Sequence, residues 1–124
     1  MNEMVLDILI TSTACTVDGS SSILGKLYAV EYQFGNLPAT ADLTLTCVEP
    51  GAVAKPLLTV VDAPAANAWY YPRDLVHGVA DGVALAGTSG GDRALPILAG
   101  VPHLVVADGG ADNKYGKIIL YWED

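Results

Sequence analysis

The sequence predicts one all-β domain, an antiparallel β-sandwich or compact barrel of about seven to eight short strands with long central loops. Three observations carry this expectation. Thirteen glycines and seven prolines interrupt the 124 residues so often that no long amphipathic helix fits beyond the first 18. The runs between them alternate apolar and polar side chains with the period of two of a half-buried strand. Apolar residues make up 52% of the chain and charged residues 16%, a balance that excludes disorder and supplies a core without metal or disulfide. The length suits a single domain over residues 1–124.

The elements follow in order. Residues 5–13, rich in Val, Ile and Thr, read as an N-terminal strand, and residues 1–13 as an arm able to pair with a neighbour. Tyr28, Val30, Tyr32 and Phe34 alternate with Ala29, Glu31 and Gln33; Leu43, Leu45 and Cys47 alternate with Asp42, Thr44 and Thr46. Residues 35–40, beginning Gly35-Asn36, are placed to join these two runs as a hairpin. Residues 57–61 form a short apolar run bounded by Pro56 and Pro64. Residues 71–100 are the least regular part, read as long loops with short strands near residues 83–85 and 95–98. Residues 104–107 and 117–122 close the chain as strands. The last is apolar on both faces, with Ile118, Leu120 and Trp122 on one and Ile119 and Tyr121 on the other, so it is expected to be central or covered by another chain.

Fourteen acidic side chains against six basic ones give a net charge of −8. This field repels nucleic acid and anionic membranes, and the six cations form no run that could neutralise phosphates. The apolar stretch from Met4 to Ile10 is short, contains Asp7 and follows no Lys or Arg, so it does not read as a secretory signal. Cys15 and Cys47 are too few for a disulfide scaffold and read as buried thiols of a protein made in a reducing cytoplasm.

Four motifs invite chemistry. Gly87-Thr88-Ser89-Gly90-Gly91 matches a nucleophile-elbow pattern, but Asp92-Arg93-Ala94-Leu95-Pro96 leaves no room for the helix such an elbow needs. A flexible glycine loop is the expectation, and no catalytic residue is assigned. His77 and His103 have Asp74, Asp81 and Asp108 nearby in sequence yet lack a ligand spacing, so no metal is expected. Asp108-Gly109-Gly110-Ala111-Asp112-Asn113 offers oxygens to calcium but lacks the EF-hand pattern, and reads as the loop joining the last two strands. Trp69-Tyr70-Tyr71-Pro72-Arg73-Asp74-Leu75-Val76-His77 is the densest group of large side chains. Trp69, Tyr70, Tyr71, Arg73, Leu75 and His77 are the candidate interface residues, because aromatic and Arg side chains anchor protein contacts. The competing readings are core filling by alternate members and carbohydrate stacking on the same rings.

The second half of the chain also carries a resemblance. Pro56-Leu57-Leu58-Thr59-Val60-Val61-Asp62 leads into Tyr70-Tyr71-Pro72-Arg73 and Leu75-Val76-His77, followed by Gly90-Gly91-Asp92-Arg93. Val105-Val106-Ala107-Asp108-Gly109-Gly110 and Gly116-Lys117-Ile118-Ile119-Leu120-Tyr121 complete it. Together they resemble small β-rich virion proteins encoded among the head genes of tailed bacteriophages. The resemblance implies a capsid decoration or cement protein with no catalytic residue and no cofactor. Its partners would be the major capsid protein and further copies of itself, as a homo-oligomer such as a trimer. Its place would be the capsid surface, after assembly in the host cytoplasm. A neck, tail or fibre-attachment component and a carbohydrate- or ligand-binding β-sandwich stand as alternatives. For strand pairing with a neighbour, the candidates are Val5, Leu6, Ile8 and Ile10.

Overall fold

The computed structural model describes residues 1–48, 54–75 and 93–124. Alternation of side chains begins at once in β1 (Asn2–Leu9), where Met4, Leu6 and Ile8 turn inward while Glu3, Val5, Asp7 and Leu9 turn out. Short strands follow: β2 (Cys15–Asp18), β3 (Ile23–Gln33), β4 (Asp42–Val48), β5 (Lys55–Val60) and β6 (Ala68–Tyr70). β7 (Asp74–Leu75) and β8 (Arg93–Ala94) pair only with each other, and β9 (Ile97–Ala107) and β10 (Tyr115–Glu123) complete the chain. Every pairing is antiparallel, and no helix occurs among the described residues.

Eight strands form one open sheet folded into a β-sandwich-like pair of layers. One layer runs β1-β10-β3-β6 and the other β2-β9-β4-β5. β9 joins them. Its first residues pair with Ile23 to Lys26 of β3, and beyond Gly100, at φ 109°, it pairs with β2 and β4. Glycine is the residue that takes this φ without strain, and a strand glycine is where a bend fits.

Between the layers lie Leu6, Ile8, Ile10, Leu27, Val30, Tyr32, Leu43, Leu45, Leu98, Leu104, Val106, Ile118 and Leu120, all essentially sealed from solvent. Each such side chain contributes about 1.5–3 kcal/mol of burial, so this layer is the main source of stability. β10 is central, flanked by β1 and β3, as its two-faced apolar pattern predicts. Cys15 lies opposite Val106 and Cys47 opposite Pro102, on different sides of β9 and well apart along it.

Three details differ from the sequence reading. The first strand spans Asn2–Leu9, because the chain turns at residues 11–14, where Ser12 and Thr13 take φ of 52° and 70°. β3 and β4 do not form a hairpin. Both edges of β3 near Val30 to Tyr32 are already taken, by β10 and β6, so the chain crosses to the other layer, burying Leu37 and Ala41 on the way. The two short strands expected at residues 95–98 and 104–107 are one long strand, β9. The strand expected near residues 83–85 lies outside the described residues.

One end of the sandwich collects residues 10–14, 34–41, 61–67 and 108–114. The other holds both chain ends, tied by an Asn2 Nδ2 to Asp124 Oδ1 hydrogen bond of 3.1 Å, and the approaches to residues 76–92.

Candidate functional site

The outward face of the β1-β10-β3-β6 layer carries the most distinctive set of side chains. Register sets it out in rows. Val5, Ile119, Glu31 and Trp69 form one row across all four strands. Glu3, Tyr121 and Ala29 form the next, and Asp7, Lys117 and Gln33 the row on the other side. A bulge between Tyr121 and Trp122 gives β3 an extra residue, Tyr28, which is 43% exposed.

These side chains hold one another in place. The Trp69 and Tyr121 rings stack with centroids 5.4 Å apart at an interplanar angle of 28°. The Tyr121 hydroxyl donates to Glu31 Oε1 at 3.0 Å, and Gln33 Nε2 donates to Glu31 Oε2 at 3.0 Å. Donating that hydrogen bond to Glu31, with some desolvation and the nearby charges of Glu31 and Glu3, holds the Tyr121 phenol above its usual range. Arg73 donates to the carbonyls of Tyr28 (3.1 Å) and Pro72 (2.6 Å), and its guanidinium lies 5.9 Å from the Tyr28 ring centroid. Trp69 stays 51% exposed and Val5 44%, while Ile119 in the same row is buried at 9% exposure, so the face presents an apolar, aromatic platform to solvent through Trp69 and Val5.

Its electrostatics are unlike the rest of the chain. Glu3, Asp7, Glu31 and Glu123 are met by Lys26, Lys117 and Arg73, with Asp7 opposite Lys117 and Glu123 opposite Lys26. The face is therefore near neutral on a molecule of net charge −8. A shallow groove at its margin is lined by Asp7, Gln33, Asn67, Tyr115 and Lys117.

The structure separates the candidate interface residues. Trp69 lies on the platform and Tyr71 is exposed beside it at 58%. Tyr70 turns the other way and packs against the core, and burial raises its phenol pKa. Arg73 braces the β3 bulge. Leu75 pairs through its backbone with Arg93, and His77 lies outside the described residues. Val5 is on the platform, whereas Leu6, Ile8 and Ile10 are core residues at 1%, 2% and 1% exposure. Residues 1–13 are therefore not an arm standing off the domain: Met4, Leu6, Ile8 and Ile10 belong to the core, and only the alternate residues of β1 face outward. Tyr28, Glu31, Ile119 and Tyr121 join the site only in the folded chain; the two-faced pattern of β10 was the one advance signal for Ile119 and Tyr121.

The other motifs fall elsewhere. Ser89, Asp81 and Asp92 lie outside the described residues. His103 Nδ1 sits 2.6 Å from Asp18 Oδ1 on the opposite layer. Among the described residues no group of three or more His, Cys, Asp or Glu side chains is placed to hold a metal ion. The loop of residues 108–113 does join the last two strands, and its oxygens serve the fold. Asp112 Oδ1 accepts from the Ser12 amide at 2.6 Å, and the Asp108 carbonyl accepts from Thr40 Oγ1 at 3.1 Å.

No protein-family model, curated protein or solved structure matches the chain.

Proposed function

We propose that this chain is a structural protein of a tailed-phage virion, a capsid decoration or cement protein that binds by the outward face of its β1-β10-β3-β6 layer. The observation that carries the reading is the platform itself: Trp69 stacked on Tyr121, with exposed Val5 in the same row, near neutral on an otherwise acidic domain. Tryptophan and tyrosine bury large area at modest entropic cost, and a flat sheet face suits a broad protein surface better than a small ligand. The net charge of −8 keeps the free protein soluble until it docks.

Cement function asks for a rigid module that ties neighbouring capsid subunits together. Several weak contacts, presented by a homo-oligomer, add through avidity. The partners are the major capsid protein and further copies of this chain. The test is cosedimentation of the purified protein with expanded empty capsids of its own phage, beside unexpanded procapsids. Saturable binding to expanded shells alone supports decoration. No binding to either shell rejects it and redirects the search to neck and tail components, while quenching of tryptophan fluorescence by sugars would favour a carbohydrate-binding module built on Trp69 and Tyr71.

A further inference from the structure

The sandwich ends laterally in four strands, and they differ in what they offer a neighbour. β6 is three residues long and β2 four. β5 contains Pro56, which has no N–H to donate, and faces a register shift between Leu45 and Thr46. Short length, proline and irregularity are the usual protections of a sheet edge. β1 has none of them. It runs eight residues without proline or bulge, in unbroken register with β10.

Which backbone groups it exposes follows from the ladder. The Ile10 amide donates to the Lys114 carbonyl at 2.8 Å, and antiparallel pairs alternate between bonded and unbonded. The even residues of β1 therefore bond to β10, and the N–H and C=O groups of Glu3, Val5, Asp7 and Leu9 point away from it. No described strand forms a ladder on that side; Thr11 and Ala14 bridge on it just beyond Leu9, where β2 comes up against β1, so the open stretch is the part nearer Glu3 and Val5. The side chains of the same four residues lie on the outward face, two carboxylates alternating with two exposed apolar groups.

Charge decides the occupant. The first 25 residues contain Glu3, Asp7 and Asp18 and no Lys or Arg. A second copy of β1 laid against the first would bring carboxylates together with no cation between them, which disfavours self-pairing. We infer that β1 is a docking edge for an extended segment of the partner protein, one with Lys or Arg spaced to face Glu3 and Asp7 and an apolar residue facing Val5. The added strand extends the platform sideways, and Lys117, opposite Asp7, continues the alternation of charge across three strands.

This inference rests on the assembly reading, but the two fail separately, because the edge is testable without capsids. The probe is a synthetic ten-residue strand-forming peptide of alternating Thr and Val with two lysines four residues apart, beside the same peptide with glutamates at those positions. Isotope-labelled protein is titrated with each and followed by amide shifts and hydrogen exchange. The lysine peptide is expected to slow exchange of the Glu3, Val5 and Asp7 amides by about tenfold near saturation, with the glutamate peptide inert. Val5→Pro removes an outward donor while sparing the bonds to β10, and should abolish the effect. The double change Glu3→Gln and Asp7→Asn, which cannot perturb the ladder, should weaken binding several-fold. Equal response to both peptides, or protection located away from β1, overturns the inference.

Discussion

Tyr32 places a phenol in the middle of the core, fully buried, with no hydrogen-bond partner for its hydroxyl among the described residues. Burial, reinforced by the neighbouring Tyr70, pushes its pKa from 10.0 up to about 12. The unfolded chain ionises this group near 10.0, so the stability linked to it is complete below that pH and is lost as pH climbs toward about 12. Tyr32→Phe should blunt the alkaline loss in urea melts recorded across that range. At neutral pH it should leave stability unchanged or raise it, since an orphaned buried hydroxyl costs about 1–3 kcal/mol. Gly35 sits at φ 58° with the Tyr115 carbonyl against the place a side chain would occupy, so Gly35→Val should destabilise by more than about 1 kcal/mol, measured by thermal unfolding. At this scale the sequence told part of the story. Trp69 and Arg73 stand out by residue type alone, but Glu31 and Tyr28 acquire roles only because the fold sets them under Tyr121 and Arg73.

At the level of elements, alternation reveals which face of a strand is buried and not which strand lies beside it. That is why the β3 and β4 patterns were legible while their pairing was not: β3 bonds to β10, β6 and β9, all distant in sequence, and no local turn chemistry encodes those contacts. The same blindness makes residues 1–13 look like an arm free to pair with a neighbour. Its inward side chains Leu6 and Ile8 are nearly fully buried, so removing residues 1–10 should abolish cooperative unfolding, read by urea denaturation. Leu6→Ala alone should cost about 2–5 kcal/mol in the same measurement. β10 was the best-read element, because a strand apolar on both faces has few places to go other than the middle of a layer.

Over the whole molecule, charge is distributed unevenly. The acidic excess leaves one broad sheet face near neutral, and that face holds the stacked Trp69–Tyr121 pair. Composition announced the acidic excess; only the register of four strands shows which face escapes it. Because the platform is apolar and its opposite charges nearly cancel, docking there should weaken little when salt is raised, in contrast to contacts made by exposed ion pairs. The most direct measurement is a pair of binding isotherms on expanded capsids, wild type beside Trp69→Ser. Saturable wild-type binding, weakened at least about tenfold in the variant while both proteins melt together, is the predicted result. Equal binding by the two proteins, or none by the wild type, would contradict docking through this face.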